Sequence, residues 1–295
     1  MATPAKKQSF LGGAAILAAA GVIVKLIGAA YKIPLSNILG SAGQTYFDTA
    51  YQIYNFLLTF STAGLPLAIS RMTSQAHARG LENEKRRIFS TAIWLFFGLG
   101  LVCSVLMFFR ADALARFLNN SLAATAVQAL RNENAMRPVQ ALAPAVFCVC
   151  ILACMRGYTQ GQGNMTPTAV SQVLEALLKL GIGLPLAWYV LHIGKTAELS
   201  AAGAIVGVTA GTAVSMLFLC AYLVTHRNRK ESLDVPSSSG QIIKQILLIG
   251  VPITLSNSAM SIINIIDTKI VMGLCLIPCL YAWFNIFSNW DPYGP

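Results

Sequence analysis

Seven apolar runs, each near the length a helix needs to cross a bilayer, follow one another along this chain. A hydrocarbon core about 30 Å thick takes about 20 mostly apolar residues in helical form. Leu11–Val24 with its continuation to Leu39, Tyr46–Ser70, Ile88–Phe109, Val139–Ala153, Ala169–Leu191, Ala201–Val224 and Ile242–Ile266 approach or exceed that length. Composition agrees, with 11% charged residues where a soluble domain carries about 25%. The fold class is therefore an all-α membrane protein that crosses the bilayer several times.

A formal net charge of +10 would suit a nucleic-acid binder, but its placement argues for topology instead, and no nucleic-acid partner is expected. Lys6 and Lys7 precede the first run; Arg71, Arg79, Lys85, Arg86 and Arg87 follow the second. Arg156 follows the fourth, and Arg227, Arg229 and Lys230 the sixth. Lys and Arg concentrate in cytoplasmic loops, which puts the amino terminus and the even-numbered loops inside. Arg110, Arg116, Arg131 and Arg137 in the third loop run against this, partly balanced by Asp112 and Glu133. A cleaved signal peptide ending near Ala18-Ala19-Ala20 is the rival reading of the start. The apolar character continues through Val22, Ile23 and Leu26 to Ala30, which favours a first span.

The seven cysteines form no disulfide framework and no metal site. Cys103, Cys148, Cys150, Cys154 and Cys220 lie in or beside apolar runs, where a thiol packs as a small hydrophobe. Cys275 and Cys279 lack the partner pairs of a zinc site. Neither metal nor cofactor is expected. A Gly-rich phosphate loop, clustered His and a nucleophile with its base are all missing from the sequence, so the chain is read as a non-enzyme. His77, His192 and His226 read as solvated surface residues.

Charges inside spans are costly and mark bundle interiors or wet cavities. Lys25 and Lys32, seven residues apart, share one face of the first span, and Pro34 predicts a bend or break just after them. Lys25 is expected to face inward; Lys32 either shares that cavity or snorkels beside Tyr31. Glu175 and Lys179 stand four apart on the fifth span, with Gln172 a turn earlier. They either neutralise each other along the helix or serve a site. Asp267 and Lys269 mark the end of the seventh span. A cavity lined with cations suits an anionic cargo. Glycines at 203, 207 and 211 have the spacing of a close helix seam, and Pro66, Pro185 and Pro252 can kink their helices. The polar stretch Arg227 to Gly240 reads as a flexible boundary between helical units.

Three stretches carry a resemblance. They are Tyr31-Lys32-Ile33-Pro34-Leu35-Ser36-Asn37-Ile38-Leu39-Gly40 leading into Ser61–Arg71, Arg156–Ala169 running on to Glu175, and Gly250–Asn257 continuing to Thr268. Together they resemble the stage V sporulation protein B family of polysaccharide-biosynthesis membrane proteins. That family sits in the superfamily of multidrug, oligosaccharidyl-lipid and polysaccharide exporters, which includes the lipid II flippases. The resemblance implies a six-helix transporter lobe plus one or two further spans, and alternating access. It also implies a lipid-linked saccharide of undecaprenyl diphosphate type as cargo, among the lipids of a bacterial cytoplasmic membrane. Aligned on Gly28, Lys25 takes the place of a cavity arginine of the lipid II flippases, and Tyr31 that of another. A lysine keeps the charge but not the fork that grips a diphosphate. Arg71 is a second candidate phosphate contact, or a topological charge. The candidate site is therefore Lys25, Lys32, Arg71, Gln172, Glu175 and Lys179.

Domain expectations follow: a six-helix lobe over 1–240, the first helix of an incomplete second lobe over 241–272, and a foreign-looking tail over 273–295. That tail resembles the phage infection protein family, or else is an interfacial aromatic belt. One lobe cannot enclose a cargo, so transport by this polypeptide alone is not expected unless it dimerises. A cation-coupled multidrug exporter and a non-transporting scaffold are the rival functions.

Overall fold

The computed structural model describes residues 10–62, 64–114, 126–194, 196–226 and 233–270. Lys6, Lys7, Arg116, Arg227, Arg229, Lys230, Cys275, Cys279 and the tail 273–295 lie outside them, as do the side chains of Arg131, Glu133, Asp267 and Lys269. Among the described residues the helices run α1 (Phe10–Thr62), α2 (Leu65–Ala78), α3 (Glu82–Phe109), α4 (Ala126–Gly161), α5 (Thr166–Leu178), α6 (Leu184–His192), α7 (Ala197–Thr225) and α8 (Ser239–Ile270). A five-residue π-helical segment, Lys179–Gly183, joins α5 to α6.

Among the described residues, six helical stretches are long and apolar enough to cross a membrane. They are Leu11–Gly40, Glu82–Phe109, Met136–Gly161, Thr166–His192, Ala197–Thr225 and Ser239–Ala259. The apolar run Tyr46–Ser70 does not form a single span. It ends α1 at Thr62 and restarts as α2 at Leu65, with Pro66 in the first turn. Proline fits there because its missing N–H would have no helical partner.

The first long helix also departs from expectation. Helical backbone runs straight through Pro34, and the break comes six residues later at Gly40 (φ 64°, ψ −175°). That conformation is open to glycine and closed to β-branched residues. A proline costs a hydrogen bond but not the helical dihedrals, so the break settles where the backbone can turn.

α4 is the central helix. Its Met136–Gly161 span has 61% of its most apolar window buried, against 11% for Leu11–Gly40, and it packs against α1, α2, α3 and α7. Leu142, Leu152, Ile205, Ile69, Phe96 and Leu35 are fully buried in the contacts this creates. Cys148, Cys150 and Cys154 are buried here as free thiols.

Glycine seams set how closely the helices approach. A side chain on Gly207 would run into the Gly183 backbone, and one on Gly211 would meet the Glu175 carbonyl at 2.9 Å. The 203–207–211 row is thus the seam that seats α7 against α5, the π segment and α6.

Two solvated readings are corrected. Lys85, read as a loop charge, is buried on α3 with its ammonium 2.8 Å from Glu82 and 3.1 Å from His77 Nδ1, so His77 is engaged too. The linker, read as flexible, is pinned over residues 234–237. Asp234 accepts the backbone N–H groups of Asn83 and Glu84 at 3.2 and 2.9 Å, and Glu84 accepts the Ser237 N–H.

Candidate functional site

The three motif stretches, far apart in sequence, meet around residues 64–70. Gly157 packs on the Pro66 backbone and Gly161 on that of Ser70. Gly64 donates its N–H to Thr254 Oγ1 and lies against the Gly250 carbonyl. Glycine on at least one side of each contact permits close backbone approach, which holds the end of α4, the start of α2 and the middle of α8 as one unit.

Polar groups gather beside this junction, inside the helix bundle. Arg156 on α4 donates from Nε to Ser171 Oγ and from a terminal guanidinium nitrogen to Glu175, both at 2.9 Å. Ser171 is itself buried, and its carbonyl accepts the Ser215 hydroxyl of α7 at 3.1 Å. Thr159 and Thr168 hydroxyls meet at 3.0 Å across the turn that joins α4 to α5. Glu175 therefore pairs with a neighbouring helix rather than with Lys179, and the self-neutralising reading of these two residues fails. The reason is reach: the guanidinium fork spans the α4–α5 gap and takes Ser171 and Glu175 together.

Lys179, released from Glu175, turns to aromatic partners. Its ammonium donates to the Tyr51 hydroxyl at 2.8 Å and stands 4.7 Å from the ring centroids of both Tyr31 and Tyr51. Phe47 stacks on Tyr51 at 5.3 Å, and Tyr54 follows Tyr51 at 5.5 Å, so the second half of α1 offers an aromatic wall. The Tyr31 hydroxyl reaches the Ala204 carbonyl. Among the described residues no carboxylate pairs with Lys179. Aromatic faces and a phenol oxygen stabilise the cation without cancelling its charge.

Position sharpens this. Lys179 is the central residue of the Thr166–His192 span and the first of the π segment. Pro185, in the first turn of α6, cannot donate to the chain behind it, and the wider π turn absorbs that loss. Arg156, Glu175 and Lys179 together carry one net positive charge, with Lys179 at mid-span.

The other expected site residues lie elsewhere. Lys25 and Lys32 are both exposed, on a helix whose flanking Val22, Ile23, Leu26 and Ile33 are exposed as well. The inward-facing position expected of Lys25 is not found within this bundle, because it is the Tyr31 and Leu35 face of α1 that is buried. Arg71 is exposed on α2, next to the Ser70 contact with Gly161. Gln172 is half-buried a turn before Glu175. Sequence reasoning missed Arg156, Tyr31 and Tyr51 as members of the cluster. Arg156 opens the most distinctive motif but reads as a topological charge, and nothing marks one phenol among nine tyrosines.

Comparison with known proteins follows the same lines. A model of the family described as polysaccharide biosynthesis protein matches residues 10–290, taking in most of the segment 273–295. Stage V sporulation protein B of Bacillus subtilis (strain 168) is 29% identical over 251 residues, covering 84% of this chain and 46% of that protein. The lipid II flippase MurJ of the same organism is 24% identical over 216 residues, covering 72% and 39%. The chain thus spans less than half the length of these two relatives. Among solved structures, MATE in the straight conformation superposes with a TM-score of 0.71 at 20% identity, over 92% of this chain and 59% of that one. A transporter of the MOP superfamily from Pyrococcus furiosus superposes with a TM-score of 0.69 at 20% identity, over 88% and 57%. From the family match over residues 10–290 and the shared helical fold, this chain is a multi-pass membrane protein that belongs to the polysaccharide biosynthesis protein family.

Proposed function

We propose that the chain is part of a carrier that moves a lipid-linked saccharide of undecaprenyl diphosphate type across a bacterial cytoplasmic membrane, its amino terminus inside. The observation that carries this reading is Lys179, a cation at the centre of a span, held by Tyr31 and Tyr51 and with no carboxylate partner among the described residues. An uncompensated intramembrane charge is expensive and is retained where it meets a counter-charge during function. A diphosphate is such a counter-charge.

Lys25 and Lys32, on the exposed face of α1, would extend the cationic path where that face meets a second unit beginning with α8; Arg71 would serve near the end of α2. Discontinuous helices at mid-membrane are where carriers of this kind bind their cargo, and the π segment supplies such an interruption. A cation-coupled multidrug exporter has one point in its favour, the intramembrane acid Glu175. Its pairing with Arg156 weakens that case, since the acid is already neutralised.

Binding separates the two. In detergent, the chain is expected to bind an undecaprenyl-diphosphate disaccharide, with affinity about tenfold weaker in Lys179→Met, the loss of one charge-assisted contact. Equal binding by both proteins, or binding of lipophilic cations in place of the diphosphate, overturns the proposal.

A further inference from the structure

An open cleft of about 480 Å³ lies where the start of α3 meets the start of α8, lined by Arg87, Ser90, Trp94, Leu95, Ser239 and Ile243. It is remote in sequence from the Arg156–Lys179 cluster and shares no residue with it. Arg87, Ser90 and Trp94 follow one another at three and four residues along α3, so they share one face. That face continues through Phe97, Leu101, Val105 and Phe108, all exposed, with Trp94 71% exposed at its head. One helix face is thus polar and cationic for its first turns and wholly apolar for the rest.

Charge points the same way. Among the described residues Arg87 has no carboxylate partner: Glu82 pairs with Lys85, while Glu84 and Asp234 accept backbone N–H groups. From Trp94 to Phe108 the face runs about 21 Å at 1.5 Å per residue, enough for an acyl chain crossing half of a core about 30 Å thick.

We propose that this cleft binds one anionic phospholipid, its phosphate on Arg87 and Ser90 and one acyl chain laid along Trp94, Phe97 and Leu101. A soluble anion would have no use for the apolar continuation, and a zwitterionic lipid would set its own ammonium group beside the guanidinium that holds its phosphate. The occupant is therefore an annular lipid fixed at one site, distinct from the cargo.

Native mass spectrometry of the full chain, in detergent carrying equal dioleoyl phosphatidylglycerol and phosphatidylcholine, tests this directly. One phosphatidylglycerol should stay bound in preference to phosphatidylcholine. Its affinity should fall about tenfold in Arg87→Gln and less in Arg87→Lys, which keeps the charge. Trp94→Ala should also weaken lipid retention. Both side chains are exposed, so helicity and melting temperature should stay unchanged. Equal retention of both lipids, full retention by Arg87→Gln, or displacement of the lipid by millimolar inorganic phosphate overturns the proposal, the last by making the cleft a free-anion site.

Discussion

Gly64 donates its backbone N–H to the hydroxyl of Thr254 at 3.1 Å, across 190 residues of chain. The bond sits where α1 gives way to α2, at a donor the helices themselves leave unpaired. It fastens α8 to the rest of the bundle at a point where two glycine backbones touch.

Thr254→Val keeps the shape and removes the acceptor. The buried Gly64 N–H then loses its partner, a cost of about 1–3 kcal/mol, while Thr254→Ser should behave like the wild type. Thermal melting in detergent micelles checks this, and an unchanged melting temperature for the valine variant would show that water reaches the Gly64 amide.

The Arg156–Glu175 pair predicts a non-additive cycle. Both side chains are mostly shielded, at 17% and 27% exposed, so either single replacement, Arg156→Met or Glu175→Leu, strands a charge inside the bundle. Each should cost about 2 kcal/mol, below the range for fully buried pairs because solvent still screens part of it. The double variant should recover much of that loss. Additive single losses would mean that the two residues act independently.

Asp234 makes a different kind of test. Its carboxylate accepts two N–H groups at the start of α3 and so acts as a helix cap supplied from 150 residues away. Asp234→Ala should cost about 1 kcal/mol, as lost caps do. The sharper readout is hydrogen exchange: the amides of Asn83 and Glu84 should exchange faster, while those of α4 stay protected.

Much of the molecule was determined by sequence alone. Apolar runs of bilayer length allow only helices, because lipid offers no partner to an open backbone. The helical class, the glycine seam at 203, 207 and 211, and the motifs that place the chain in its family were therefore legible before any coordinates; the division of Tyr46–Ser70 between α1 and α2 was not. Which charge meets which was not. Glu175 and Lys179 are neighbours along one helix, yet Arg156 takes the first and Tyr51 the second, because helix packing brings α4 within reach of one and α1 within reach of the other. Lys25 and Tyr31 lie six residues apart on one helix, yet only Tyr31 is buried. The tertiary structure alone chose the face. Periodicity says which residues share a side, but burial depends on what comes to rest against it.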